Sequence, residues 1–232
     1  MVSIDAVVLA GGLGTRLQTA VGDQPKPLAT VQGRPFLDIL VDDLVRQGLR
    51  RIIFCVSHRR EQIIAHFRDR TDAEFQFSEE ETPLGTGGAV RHAAHLIRSD
   101  LFLVLNGDSF CRIDYQKFLA FHRAKSAALS IVVTEARGRT DGGTIELAAN
   151  GRIASFREKT SVADTGRAFI NAGIYLMRKD APASWKRPYP FSLERDIFPD
   201  QVAGSDCYGF VVEAEVVDIG TPERYADAQY KF

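Results

Sequence analysis

The sequence predicts an α/β fold of three layers, helix–sheet–helix, around a mixed central sheet. Short aliphatic runs alternate with amphipathic stretches through the first half of the chain. Those runs are apolar at nearly every position, the pattern of parallel strands covered on both faces. After about residue 128, strand-like segments follow one another with few helices between them, which implies a mixed-sheet extension.

"DAVVLA" (5–10) is a buried strand that runs into "GGLGTR". Residues 35–48 carry Phe36, Leu37, Leu40, Val41, Leu44 and Val45 at the three-and-four spacing of a helix stripe. Pro35 suits the first helical position and Gly48 the C-terminal cap. "RIIFCVS" (51–57) is a strand, and 61–69 a short helix turning Ile63, Ile64 and Phe67 inward. "EFQFSEE" is a strand running into a loop, and 85–99 starts glycine-rich and becomes helical. "LFLVLNGDS" (101–109) is a buried strand ending in a polar turn. "LSIVVTEA", "GTIELAA", "RIASFREK" and "FINAGIYLMR" are strands, and 192–200 is a short helix opened by Ser192. The C-terminal stretch gives strands and then a terminal helix. No repeat, low-complexity tract or linker interrupts the chain, so one domain over 1–232 is expected.

Composition narrows the function classes. With 232 residues, 45% hydrophobic and 25% charged, the chain can bury a large core under an ordinary polar surface. A net charge of −1 gives no basic face for nucleic acid. The aliphatic runs are too short to span a membrane, and no signal-like segment precedes the first strand, so cytoplasm is expected. Cys55, Cys111 and Cys207 are scattered and read as buried free thiols. His92 and His95 share a helix face without a carboxylate or cysteine to complete a ligand set.

Ligands of open α/β sheets bind beyond the carboxyl ends of the strands. "LAGGLGTRL" (9–17) and "NGD" (106–108) both sit there. The glycine loop is neither a Walker motif nor G-x-G-x-x-G. It serves either as a tight turn or as a backbone cradle for oligophosphate, with Arg16 offering a planar donor fork. In "QPKPL" (24–28) the flanking prolines hold Lys26 on an extended stretch, and a solvated surface lysine is the plain alternative. Asp108 and Asp218 each end a strand; either caps a turn, or the pair holds Mg²⁺ with help from substrate phosphates.

These motifs, with "PLGTGGA", "EKT", "NAGIY" and "DIGTPE" in the same order, resemble the sugar-1-phosphate nucleotidylyltransferases over residues 4 to about 229. Among them the likeness is greatest to guanylyltransferases acting on manno-configured sugar phosphates. The resemblance implies a Rossmann-like α/β/α fold, with a nucleotide-binding part near 1–127 plus the C-terminal segment and a sugar-binding subregion near 128–190. It implies that Leu9, Ala10, Gly11, Gly12, Gly14 and Thr15 wrap the nucleotide, with Gly85, Thr86, Asn106 and Gly107 beside it. It assigns Arg16, Lys26 and Asp108 to the reacting phosphates and Mg²⁺ to Asp108 and Asp218. Gly143, Glu158, Lys159 and Asn171 would border the sugar phosphate. The substrates implied are GTP with heptose 1-phosphate first and mannose 1-phosphate next. No acetyltransferase or trimerising domain is expected, and the oligomeric state, a homo-oligomer included, stays open.

One position speaks to the base. Relatives using uridine or thymidine nucleotides usually carry glutamine four residues before the leucine of L-G-T. Here that residue is Glu80. A carboxylate only accepts, which matches the adjacent N1–H and N2–H₂ donors of guanine and repels a pyrimidine carbonyl. The alternative is that Glu79, Glu80 and Glu81 form a solvated acidic loop. Two rival functions remain: a nucleotide-sugar sensor without turnover, which would lack part of the Arg16, Lys26, Asp108, Lys159 and Asp218 set, and a molybdenum-cofactor guanylyltransferase, which would lack the sugar-side motifs.

Overall fold

The computed structural model describes residues 4–17, 21–136, 143–157 and 168–232. The chain begins with β1 (Asp5–Leu9), a 3-10 turn (Lys26–Leu28), β2 (Thr30–Val31), β3 (Arg34–Pro35) and α1 (Phe36–Arg46). β4 (Arg51–Val56), α2 (Arg60–Phe67), β5 (Glu74–Glu79), α3 (Gly85–Ala93), β6 (Leu101–Asn106), β7 (Ser109–Cys111) and α4 (Tyr115–Ala124) follow. Then come β8 (Leu129–Glu135), β9 (Thr144–Leu147), β10 (Ile153–Arg157) and β11 (Phe169–Arg178). A π-helical turn (Leu193–Ile197), α5 (Phe198–Gly204), β12 (Cys207–Val211), β13 (Val216–Asp218) and α6 (Pro222–Ala228) complete it.

The mixed sheet expected from the sequence is present. β5, β4, β1 and β6 are parallel neighbours in that order. β11 runs antiparallel to β6, β8 and β9, and β12 pairs parallel with β8. Alternate residues of each central strand feed separate cores. Ala6, Val8, Ile52, Phe54, Leu103 and Leu105 meet α1, α2 and α4 on one face. Val7, Ile53, Cys55, Phe102 and Val104 meet α3 and the 191–198 segment on the other. Two cores explain why these strands read as apolar throughout.

Local sequence signals act as expected in α1. Gly48 N–H bonds to the Val45 carbonyl and Leu49 N–H to that of Leu44, the paired bonds that end a helix at a left-handed glycine. In α2, Ile63 and Phe67 are buried, but Ile64 is only half-buried, because the helix rests on the sheet along one narrow line. The 192–200 segment opens as a π turn before α5, with Ser192 Oγ accepting from the Glu194 and Arg195 amides. All three cysteines are buried and free. No helix of the described residues is long and apolar enough to cross a membrane.

One irregularity shapes what lies above the sheet. The β11–β8 register shifts between Asn171 and Tyr175, and Gly173 within that shift has φ +74°. A Cβ there would stand 2.8 Å from both Asn106 Nδ2 and Ser109 Oγ. The bulge therefore lets β11 press against the turn after β6. Gly173→Ala combines left-handed strain with overpacking and is expected to cost on the order of 2–4 kcal/mol. A fall in the urea midpoint at unchanged m would measure it, and an unshifted midpoint would contradict it.

Candidate active site

The parallel strands end together. Leu9 is in register with Cys55 and Asn106, and Val56 with Glu79. The segments leaving these ends enclose a cleft of about 260 Å³. Leu9, Gly11, Gly12, Lys26, Glu80, Gly85, Thr86, Asn106 and Asp108, all singled out in the sequence, line it. A larger depression at the other end of the sheet, bordered by Asp5, Arg50, Arg51 and Arg98, is a structural tie. There Asp5 accepts the Arg98 and Ser99 amides, and Arg51 pairs with Glu74.

The glycine loop is pinned at its base and open at its tip. The Ala10 amide donates to the Cys55 carbonyl and the Gly107 amide to that of Leu9, both at 2.9 Å. Gly14, at φ +61°, passes so close to Lys26 that a Cβ would lie 3.0 Å from the lysine's own. Thr15 and Arg16 are exposed on a turn closed by Leu17 N–H to Gly14 O at 2.9 Å. Arg16 pairs with no carboxylate among the described residues and, unlike Asp108, does not line the cleft.

Lys26 differs from expectation. Only Pro25 is extended; Lys26 begins the 3-10 turn, closed by Leu28 N–H to Pro25 O (2.8 Å) and Ala29 N–H to Lys26 O (3.0 Å). Nor is it solvated: the residue is 9% exposed, with its stem under the glycine loop. Its ammonium pairs with Asp108 at 2.5 Å. Two carbonyl-closed bonds outweigh the preference for extended backbone before Pro27.

A two-stranded ladder brings in the second aspartate. β13 runs antiparallel to β7 with Asp218 opposite Ser109, and the Ile219 amide donates to the Asp108 carbonyl at 3.0 Å. Arg224 grips both Asp218 oxygens, at 3.0 and 2.9 Å, and the Gly220 amide donates to one of them. A Cβ on Gly220 would lie 2.9 Å from Asp218 Oδ1 and 3.7 Å from Lys26 Nζ, so the lysine and both aspartates converge there. Among the described residues no cluster of three or more His, Cys, Asp or Glu forms a cation cage. Two carboxylates fit a hard cation that keeps water and substrate oxygens as its other ligands. Arg224 was not anticipated; its signal is its place in the first turn of α6, six residues after Asp218.

Of the three consecutive glutamates, Glu79 and Glu81 are exposed while Glu80 is buried at 5% exposure. This overturns the solvated-loop alternative for Glu80. Its amide continues the ladder to Val56 O at 2.8 Å, and its Oε2 accepts the Leu84 amide at 3.0 Å. Burial raises its carboxyl above the ordinary glutamate value, with the Leu84 amide and His92 pulling the other way.

The start of α3 is finished by a distant segment. Phe191 donates its amide to Leu84 O and accepts those of Gly87 and Gly88. Side chains at Gly85, Gly87 or Gly88 would collide with Phe191 and Tyr189, at 2.4 to 2.9 Å. Arg91 lies over both of those rings, 4.1 and 4.5 Å from their centroids.

On the sugar side, the Asn171 amide donates to Gly143 O at 3.1 Å, which joins two residues the resemblance grouped. Glu158 and Lys159 lie outside the described residues. A residue not anticipated, Glu194, accepts hydrogen bonds from Thr86, Ser192 and Tyr175. Its partners Thr86 and Tyr175 are 108 and 19 residues away, beyond any local periodicity.

The nucleotidyl transferase family profile matches residues 5–232. The D-glycero-alpha-D-manno-heptose 1-phosphate guanylyltransferase of Aneurinibacillus thermoaerophilus is 30% identical over 227 residues, 97% of each chain. The mannose-1-phosphate guanylyltransferase of Mycobacterium tuberculosis is 33% identical over 226 residues, 96% of this chain but 62% of that protein. The crystal structure of HddC from Yersinia pseudotuberculosis superposes with a TM-score of 0.86 at 35% identity, covering 99% of both chains. The same protein has been solved complexed with GMP-PN.

The raised Glu80 carboxyl makes a stability prediction. The folded protein holds that proton more tightly than the unfolded chain, so this group favours folding at low pH. Its contribution is lost as pH rises through the folded value, above the ordinary 4.5. Glu80→Gln, which keeps an acceptor for Leu84, should raise the melting temperature at pH 7–8 relative to wild type and leave it nearly unchanged at pH 4. Equal shifts at both pH values would contradict this assignment.

Proposed function

The chain belongs to the nucleotidyl transferase family, and on that footing we propose that it transfers the guanylyl group of GTP to a manno-configured sugar 1-phosphate, releasing pyrophosphate. D-glycero-D-manno-heptose 1-phosphate is the first acceptor and mannose 1-phosphate the second. The observation that carries this reading is the burial of Glu80 alone among three glutamates, on the wall of the cleft. One carboxylate oxygen is taken by Leu84; the other has no protein donor among the described residues. An acceptor-only group there suits the two donors of guanine and would oppose a carbonyl of uracil or thymine. The activities of the two relatives, guanylyl transfer to heptose or mannose 1-phosphate, support the same choice.

The chemistry asks for positioning rather than proton transfer. An oxygen of the sugar phosphate attacks the α-phosphorus, and the bond to the pyrophosphate oxygen breaks in line. The phosphate dianion is already a nucleophile near neutral pH, so no general base is needed. The barrier falls by holding two polyanions together and by stabilising charge on the transferred group. Lys26 stands ready for that task, fixed by its turn and by Asp108. Arg16 would take the leaving pyrophosphate, and Glu158 and Lys159 the sugar phosphate. The paired aspartates would hold Mg²⁺ arriving on the nucleotide. Bound there, the ion would neutralise phosphate charge.

Pyrophosphate release should be measured with Mg²⁺ for GTP, UTP, dTTP, CTP and ATP, each with heptose 1-phosphate and mannose 1-phosphate. GTP should be selected, and Glu80→Gln should weaken that selection or move it towards a pyrimidine. Turnover confined to UTP or dTTP would overturn the base assignment while keeping the reaction. Nucleotide binding without turnover in any pair would favour a sensor. Asp108→Asn should lower kcat/KM by roughly 100-fold or more while the fold melts normally.

A further inference from the structure

Glu194 sits in the π turn packed against α3 and receives three hydroxyl protons. Its Oε2 accepts from Thr86 at 2.7 Å and Ser192 at 2.8 Å, and its Oε1 from Tyr175 at 3.1 Å. The direction of every bond is set from outside. Thr86 Oγ1 already receives the Leu193 amide at 2.8 Å, and Ser192 Oγ those of Glu194 and Arg195. The Gly173 amide, a fixed donor, takes Asn171 Oδ1 at 2.9 Å, which turns Asn171 Nδ2 towards the Tyr175 hydroxyl at 2.8 Å. Tyr175 must then donate onward, and only an acceptor can stand at its end.

We propose that Glu194 is the positioning residue that joins the two substrate sites, orienting the Thr86 turn for the nucleotide and, through Tyr175, the Asn171 amide for the sugar. This role rests on the function proposed above. Thr86 lines the cleft beside Gly85, and Asn171 is bonded through its backbone to Gly143. Tyr175 is fully buried, and its hydroxyl links the Asn171 side-chain amide to Glu194. A glutamine at 194 cannot accept from both sides: its NH₂ would face either Tyr175 or the Thr86–Ser192 pair. In the first case the bond from the Tyr175 hydroxyl to residue 194 is lost, and the Asn171 amide can rotate only by leaving the Gly173 N–H unmade.

Titration calorimetry on the full chain separates this role from simple bracing, using GTP with Mg²⁺ alone and heptose or mannose 1-phosphate alone. Tyr175→Phe, which removes one oxygen, should weaken sugar-phosphate binding about 5–10-fold, the worth of one hydrogen bond, and leave GTP within twofold. Glu194→Gln should weaken both by a similar factor. The double variant should bind the sugar phosphate no more weakly than Glu194→Gln, because the two act in one chain. Equal losses for both substrates in Tyr175→Phe, no loss, or additive losses in the double variant would overturn the relay. A wild type that binds neither sugar phosphate overturns the substrate assignment, and the relay with it. A wild type that binds one as tightly as its Tyr175→Phe variant removes the relay alone. Should Glu194→Gln fail to fold, the conservative Tyr175→Phe comparison still decides.

Discussion

The pairing of β1 with β6 is the interaction on which the cleft depends. Leu9 lies in register with Asn106, and the Gly107 amide extends that ladder by bonding to the Leu9 carbonyl. The glycine loop and the turn carrying Asp108 therefore leave the sheet as neighbours. Lys26 is drawn under the loop at Gly14 and meets Asp108. A shift of either strand by one residue would reverse every side chain between the two cores and part these segments. The site is thus specified by the same alternation that fills the interior, which leaves little room to lose one and keep the other.

Charge in the cleft is arranged in pairs rather than as an open positive patch. Lys26 faces Asp108 and Arg224 faces Asp218, with only Asp108 of the two carboxylates substantially exposed. Pairing keeps a nearly buried ammonium in place without a ligand, since an isolated one would be driven to lose its proton or move outward. Lys26 and Arg224 are consequently set before any substrate arrives. Preorganisation of this kind is what a reaction limited by the meeting of polyanions requires.

Much of this was legible locally. The strands 5–9, 51–56 and 101–106 announced themselves by continuous apolar residues, and α1 by its stripe and its glycine stop. Ser192 marked the start of its turn. The turn at Lys26 was not legible, because two flanking prolines argue for extended backbone and the closing bonds come from carbonyls. Glu80 could be singled out by type and spacing, but its burial depends on α3 and β5 meeting around it. Glu194 has no local signal, because packing of the 191–194 segment on α3 and β11 is what brings Thr86 and Tyr175 to it. Arg224, only six residues after Asp218, has a local signal, but spacing alone does not say that the two side chains meet. Glu158 and Lys159, legible by resemblance, lie outside the described residues.

The bare glycine face at the start of α3 has a consequence for the order in which the protein is made. Gly85, Gly87 and Gly88 have no side chains because the backbone and rings of Tyr189 and Phe191 occupy that space. Asp218 likewise reaches its place only when β13 joins β7. A growing chain that has emerged from the ribosome through β6 owns the parallel core but not these closing pieces. Its helix would expose glycine backbone and an unfilled apolar groove until about a hundred further residues had appeared. The closing pieces of the cleft are therefore in place only once the chain has reached α6, and until β11 joins β6 the nascent sheet keeps an open strand edge as well as that groove.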